Sequence, residues 1–368
     1  MTSILDSQIS ELLTLNPRGL STAEKLSKIV PVLDAITDFH YNSCHYYKNI
    51  IDASFGGITK YGALEELPYL PVRLFKELDL VSVNKDDIVK QMHSSGTTGM
   101  NASRIYLDRK TVAIQTKVLS RIVTYSIGQK RLPMIVLDAE STISSRHTYS
   151  ARAAGILGFS TFASSKFFAL DEEMNLRTDA LKLFIDSNAG KKFLLFGFTF
   201  MVWQNFVQTL IKSGIKLDLT GSILIHGGGW KKITEQYQIT NSEFKTRVRE
   251  YTNISEVTNY YGMVEQTGSL YLECAAGNLH SSTYSEVLFR DPLTLQLVGP
   301  GETGLIQVCS IVALSYPGHA LLTEDLGSHL GDDNCPCGDL GRYFQIVGRI
   351  AKAEIRGCSD AYKDGLIQ

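Results

Sequence analysis

The segment from Ser94 to Gly99 reads Ser-Ser-Gly-Thr-Thr-Gly: Ser94, Ser95, Thr97 and Thr98 carry hydroxyls, and Gly96 and Gly99 are glycines. A loop of that composition is dense in donors without adding charge. Glycines let backbone N–H groups come close to an anion, and Ser and Thr hydroxyls donate to phosphate oxygens. A Walker-type loop is excluded, because no Lys-Ser/Thr pair follows Gly99. A surface turn has the same composition, so this segment alone leaves phosphate binding as one of two readings.

Further segments offer complementary chemistry. His226-Gly227-Gly228-Gly229-Trp230 directly follows an apolar run, which sets three glycines at the carboxyl edge of a sheet, where open α/β folds bind ligands. Tyr260-Tyr261-Gly262-Met263-Val264-Glu265 follows a β-prone run and ends in a carboxylate suited to Mg²⁺ beside phosphates. Thr323-Glu324-Asp325 offers a carboxylate for ribose hydroxyls, and Gly348-Arg349 adds a cation after the run 343–347. Taken singly, each has an ordinary counterpart: turn glycines, a solvated glutamate, a strand-end aspartate.

The chain has six cysteines, unevenly placed. Cys44 and Cys309 have apolar or aromatic neighbours and read as packed side chains. Cys274, His280, Cys335 and Cys337 together offer three thiols and one imidazole, a complete tetrahedral set for structural zinc. Four reduced, partly buried side chains are the alternative, and His319 and His329 are competing ligands. Cys358 lies in Arg356-Gly357-Cys358-Ser359-Asp360, with Lys352 close by. Positive neighbours lower a thiol pKa, and a thiolate is the nucleophile that attacks an activated acyl group. An exposed tail cysteine is the bland alternative. His40, His45 and His147 read as packing or surface residues.

These groups need a scaffold. Met134–Asp138, Phe193–Phe198 and Ser222–Gly227 are short apolar runs separated by helix-length stretches, which predicts strand–helix alternation and a largely parallel sheet. Residues 1–90 read mostly as helices, with Ser21 and Glu24 forming a capping box, until Pro68 and Pro71 impose a turn. Beyond about Tyr284 the strands come closer together. Leu305–Ile311 and Tyr343–Val347 predict a smaller, mostly antiparallel part. The expected organisation is a helical region at 1–90, an α/β core at 91–285, a β-rich subdomain at 286–347 and a mobile tail at 348–368.

In order, the Ser/Thr/Gly loop, the Gly-rich turn, Tyr-Gly-x-x-Glu, Thr-x-Asp and Gly-Arg resemble the motif series of the adenylate-forming superfamily, which includes acyl-CoA synthetases, luciferases and peptide-synthetase adenylation domains. That resemblance implies the architecture of the superfamily's N-terminal domain: largely parallel sheets flanked by helices, with a smaller β-rich subdomain. It places the ATP triphosphate on Ser94–Gly99, the adenine beside Gly228, Gly229 and Tyr261, Mg²⁺ on Glu265 and the ribose on Asp325. Arg349 marks the hinge before the mobile C-terminal part. Met100-Asn101-Ala102 stand where a Lys is usual, with Arg104 as a substitute, and Val264 replaces the Thr or Ser that usually precedes the Glu. Nineteen residues follow Arg349 in the 368-residue chain, so the tail is truncated and the superfamily's large C-terminal domain with its catalytic Lys is not expected.

Tyr316-Pro317-Gly318-His319, the segment 321–327, Cys335-Pro336-Cys337-Gly338 and the segment 352–360 narrow the resemblance to the LuxE type, the acyl-protein synthetases of bacterial bioluminescence operons. Such enzymes adenylate a fatty acid, accept the acyl group on a cysteine near the C-terminus and pass it to a partner acyl reductase. Cys358 falls where that cysteine belongs. For His93, beside the Ser/Thr/Gly loop, and for Arg146-His147, after Met134–Asp138, lining of the acyl pocket is the alternative to a packing or surface role.

Bulk properties agree with an enzyme of this kind. A chain of 368 residues holds one large or two smaller domains, and 44% hydrophobic with 20% charged residues is ordinary for a globular protein. A net charge of −2 and the lack of a Lys/Arg-rich run speak against a nucleic-acid partner. Met1–Leu15 carries Asp6 and Glu11 and does not read as a signal peptide, and no run reaches the roughly 18 apolar residues of a membrane span. Sparse cysteines fit a reducing, cytoplasmic home. The expected activity uses ATP and a carboxylic acid to make acyl-AMP, then a thioester on Cys358, then an acylated partner: an acyl reductase or another acyl-accepting protein. Two rivals are a shortened phenylacetate-type CoA ligase, which does not need Cys358, and a non-catalytic nucleotide-binding scaffold subunit.

Overall fold

The structure is a computed structural model and describes residues 3–58, 60–94, 102–128, 130–144, 148–229 and 236–350. The chain forms two compact units: residues 1–125 with 263–368, and residues 126–262.

The first unit opens with helices α1 (Ser3–Leu12), α2 (Thr22–Ser43) and α3 (His45–Phe55). The capping box expected at Ser21 is present. Its side chain accepts from the Glu24 N–H, and the Glu24 carboxylate accepts from the Ser21 N–H at 3.0 Å. Two of the unpaired donors at the start of α2 are thereby satisfied. Buried Ile29, Val32, Leu33, Ile36 and His40 recur at helical spacing and form the inward face. Strands β1 (Leu70–Pro71), β2 (Ile88–His93) and β3 (Arg104–Asp108) follow, β2 and β3 pairing antiparallel, and then a long helix, Arg109–Ile127.

The second unit contains β4 (Leu132–Ala139), β5 (Thr148–Tyr149), β6 (Ala163–Leu170), β7 (Leu194–Phe198), β8 (Ile223–Gly227) and β9 (Glu256–Tyr261). Five of them pair in parallel in the order β9-β8-β7-β4-β6, with helices on the connections. Every residue of β8 is buried, as a parallel strand covered on both faces requires. On one side of the sheet, Ile135, Leu137, Leu195 and Leu224 pack with Trp203, Phe206, Phe244 and Val248.

The chain then returns to the first unit with β10 (Tyr271–Leu272), β11 (Leu279–His280), β12 (Ser285–Arg290), β13 (Thr303–Ser310), β14 (Ala320–Asp332) and β15 (Arg342–Arg349). Strands β11 to β15 form a sheet in the order β11-β15-β14-β13-β12, antiparallel throughout, with β1 added parallel to β14. The parallel sheet and the antiparallel part expected from the apolar runs are both present. Among the described residues no helix is long and apolar enough to cross a membrane.

Two buried polar contacts tie α2 to this sheet. Lys25 Nζ meets the Glu286 carboxylate at 2.7 Å, with both side chains almost fully buried, and donates to Ser281 Oγ at 2.7 Å. Removing either partner of such a pair costs roughly 3–5 kcal/mol, because the other charge is left stranded. Further along α2, His40 stacks on His319 with ring centroids 5.1 Å apart. His40 Nδ1 pairs with Ser82 Oγ at 2.8 Å and Nε2 with the Ala313 carbonyl at 3.1 Å, while His319 Nε2 pairs with Thr37 Oγ1 at 2.8 Å.

Burial holds both rings neutral. It pushes His40 down to about 3, against the Ala313 carbonyl, and takes His319 well below its ordinary value, with His40 adding to the effect. A histidine whose folded pKa lies below its unfolded value of about 6.5 binds fewer protons folded than unfolded there. Its stability contribution is therefore complete above about pH 6.5 and is lost as pH falls, at roughly 1.4 kcal/mol per pH unit per ring. Urea unfolding of the chain at pH 7.5, 6.5 and 5.5 should show a loss that falls mostly in the lower interval, and His40→Gln should reduce it. Equal stability at all three pH values would contradict the neutral pair.

Candidate functional site

In the second unit the parallel strands end side by side at the Gly-rich turn and at the Tyr-Gly-x-x-Glu segment. Thr199 follows β7, Gly228 and Gly229 follow β8, and Tyr261 ends β9. The register sets Gly197 beside His226 and Gly227 beside Tyr260. Glycine is required at Gly228: φ is +99°, and a Cβ there would lie 2.9 Å from the Phe198 ring. Gly229 is exposed, and no atom of the described residues lies within 4 Å of where a Cβ would point. His226 is fully buried, and its Nδ1 lies 3.0 Å from Thr199 Oγ1, which donates to the Gly227 carbonyl at 3.0 Å. Burial pushes His226 down to about 3, with Lys245 acting in the same direction, so its role is to brace the glycine turn as a neutral ring.

At the end of β4, buried Asp138 is held by Arg152, whose Nε donates to Oδ2 at 2.9 Å, and by Thr142 Oγ1 at 2.7 Å. This carboxylate–guanidinium pair went unrecognised in the sequence. Asp138 was visible there only as the last residue of an apolar run.

In the first unit, Ser94 directly follows β2, opposite the start of β3. The Ser94 N–H donates to the Ser103 carbonyl at 3.3 Å, and the Ser103 N–H donates to Ser94 Oγ at 2.9 Å. Of the expected phosphate loop, Ser95, Gly96, Thr97, Thr98 and Gly99 lie outside the described residues. So do Arg146, His147 and Cys358. His93 pairs with Arg104 across the β2–β3 hairpin. The Arg104 guanidinium is committed to Asp79, donating from Nε at 2.6 Å.

Glu265 lies in a single 3₁₀ turn, Val264–Gln266, and is 6% exposed. Burial pushes its carboxyl above the ordinary carboxylate range, against the Ser103 hydroxyl. Its backbone is locked from below. The Tyr316 hydroxyl donates to the Glu265 carbonyl at 2.7 Å, and Gln266 Nε2 donates to the Gly318 carbonyl at 2.8 Å. A Cβ on Gly318 would sit 2.3 Å from the Tyr316 ring and 2.9 Å from the Glu265 carbonyl oxygen, which explains the glycine in Tyr-Pro-Gly-His. Nothing in the local sequence signals this support, because its members are some fifty residues apart.

Asp325 and Arg349 are direct partners across β14 and β15. Arg349 Nε lies 3.6 Å from Asp325 Oδ1, and Nη2 donates to Glu324 at 3.0 Å. Arg349 is thus satisfied locally while remaining 59% exposed.

Cys274, His280, Cys335 and Cys337 converge, their ligand atoms all within 4.8 Å of one another. Cys274 Sγ is 3.8 Å from Cys335 Sγ, and Cys337 Sγ is 3.5 Å from His280 Nε2. Asn278 Nδ2 reaches Cys335 Sγ at 3.5 Å, and the Asp339 N–H reaches Cys337 Sγ at 3.4 Å. Burial pushes His280 down to about 4, with Arg18 acting in the same direction, so the ring is neutral near pH 7. The two competing histidines are elsewhere: His319 against His40, and His329 bonded to Asp332 at 3.2 Å.

A family model described as acyl-protein synthetase, LuxE, matches residues 3–367. The chain is 23% identical over 330 residues to the long-chain-fatty-acid–luciferin-component ligase of Aliivibrio fischeri, covering 87% of this chain and 84% of that protein. It is 20% identical over 364 residues to the ligase of the same name from Vibrio harveyi, covering 96% and 92%. Among solved structures, an open conformation of 2-hydroxyisobutyryl-CoA ligase in complex with 2-HIB-AMP and CoA matches with a TM-score of 0.68 at 17% identity, over 91% of this chain and 77% of that one. The postadenylation state of the same ligase with 2-HIB-AMP gives 0.67 at 16% identity, over 90% and 69%. At such identities the likeness is one of fold, and the fold is that of the adenylate-forming ligases. With a family match running from residue 3 to residue 367, the chain belongs to the LuxE family of acyl-protein synthetases.

Proposed function

We propose that the chain uses ATP to activate a long-chain carboxylic acid as acyl-AMP, moves the acyl group to Cys358 and delivers it to a partner protein such as an acyl reductase. The family match over residues 3–367 carries this reading. The acid's carboxylate oxygen attacks the α-phosphorus of ATP, and the bond to pyrophosphate breaks with the electron pair leaving on pyrophosphate. The Cys358 thiolate, its proton given to solvent, then attacks the acyl carbon, and AMP leaves with the electrons of the broken C–O bond.

In this scheme Ser94–Gly99 binds the triphosphate, Gly228, Gly229 and Tyr261 border the adenine, and Asp325 takes the ribose hydroxyls. Glu324 can keep Arg349 in place when Asp325 turns to the ribose, since it holds the guanidinium independently at 3.0 Å. Glu265 fits a Mg²⁺ ligand by its chemistry: a hard oxygen donor, buried, whose charge a nearby cation would offset. When bound, Mg²⁺ neutralises charge on the phosphates. Tyr316 and Gln266 keep the Glu265 backbone from shifting.

Two substitutions separate the steps. Acid-dependent exchange of pyrophosphate into ATP should fall by about 100-fold or more in Glu265→Gln, as expected for the loss of a charge-stabilising group. Undiminished exchange in that variant removes Glu265 from the mechanism. Cys358→Ser should keep exchange within about twofold of wild type, since a thiol that acts after acyl-AMP formation contributes nothing to the first step. Loss of exchange in Cys358→Ser would place that residue in adenylation and break the two-step order.

A further inference from the structure

We propose that Cys274, His280, Cys335 and Cys337 hold a resident zinc ion that staples the first unit, and that Asp339, Arg18 and Tyr125 form its supporting shell. This rests on the four side chains themselves and not on the acyl-transfer reading.

The distances carry the argument. With Zn–S near 2.3 Å and Zn–N near 2.05 Å, a tetrahedral ion has S···S edges of about 3.8 Å and S···N edges of about 3.5 Å. The Cys274–Cys335 separation is 3.8 Å and the Cys337–His280 separation is 3.5 Å. Three sulfurs and one nitrogen complete the coordination and leave no open position, so the ion is structural and not catalytic. Soft thiolates with an imidazole select zinc over Mg²⁺ or Ca²⁺, which take oxygen ligands. A disulfide is a poor alternative account, since its sulfurs would need to be about 2.05 Å apart.

The surroundings are built to hold the set. Two turns supply the ligands: the segment from Cys274 to His280, and the connection between β14 and β15 that carries Cys335 and Cys337. Backbone and side-chain N–H groups point at two of the sulfurs, from Asp339 and Asn278. The Asp339 carboxylate is fixed by Arg18 Nη1 at 2.8 Å and the Tyr125 hydroxyl at 2.6 Å. Buried Arg18 also donates from Nη2 to the Leu272 carbonyl at 2.7 Å, beside the first ligand turn. Outer contacts of this kind orient ligands, and their loss typically weakens metal affinity 10–100-fold. The ion would therefore join the segment before α2, the helix Arg109–Ile127 and both ligand turns at one point.

The test uses the full chain, purified without chelator from zinc-supplemented cells. Elemental analysis should give about one zinc per chain. Stripping it with a mercurial and a chelator should lower the melting temperature by at least about 5 °C, and zinc should restore it. Cobalt added to the stripped protein should produce the intense visible bands of tetrahedral cobalt–thiolate coordination. Asp339→Asn should still bind one zinc but lose it to a competing chelator about 10–100 times more readily. If Cys335→Ser/Cys337→Ser fails to fold, the wild-type stripping and cobalt arms decide alone. Metal-free wild-type protein with an unchanged melting temperature, or cobalt held with the weak spectrum of six-coordinate oxygen ligation, would overturn the site. An Asp339→Asn protein that keeps zinc as tightly as wild type would overturn the supporting shell.

Discussion

The antiparallel pairing of β14 with β15 determines which side chains can meet in the C-terminal half of the first unit. Its register joins Asp325 to Arg349 at one end and Asp332 to Arg342 at the other. Two register shifts lie between, at Leu326/Gly327 and His329/Gly331. The open end of the hairpin thus presents a carboxylate and a guanidinium. The closed end carries the turn with Cys335 and Cys337. β15 also pairs with β11, setting His280 beside Tyr343, so His280 takes its place from the same strand that delivers Arg349. A one-residue slip would turn the side chains of β15 to the opposite face and disperse both groups.

Much of the fold was legible because parallel strands covered on both faces must be continuously apolar. Met134–Asp138, Phe193–Phe198 and Ser222–Gly227 could be read as strands for that reason, and they fall on β4, β7 and β8. The Ser21–Glu24 capping box was legible because its chemistry is local. What could not be read depends on partners far apart in the chain. Lys25 is buried against Glu286, a partner that no local pattern announces. Arg18 meets Asp339 across nearly the whole sequence, and His40 meets His319 in the same way. No periodicity records such pairs, because each is created by the packing of two already formed elements.

For the functional residues the division is similar. Residue type and order suggested Glu265, Asp325 and Arg349, but not what holds them. Tyr316 and Gln266 support Glu265 through backbone atoms, so their side chains carry no catalytic signature. Arg104, which the sequence offered in place of the usual lysine, is bound to Asp79. The four metal-type ligands were suggested by composition alone, while their distances come from the register of β11, β14 and β15.

The central claim is covalent: an acyl group, activated on ATP, comes to rest on a thiol of this chain. Intact-protein mass spectrometry after incubation with ATP, Mg²⁺ and a long-chain fatty acid reads that directly. The account predicts a single acyl adduct that needs ATP, disappears in neutral hydroxylamine and maps to the peptide containing Cys358, since thioesters but not amides yield to that nucleophile. Formation of AMP with no adduct, and with acyl-CoA appearing once CoA is added, would contradict it.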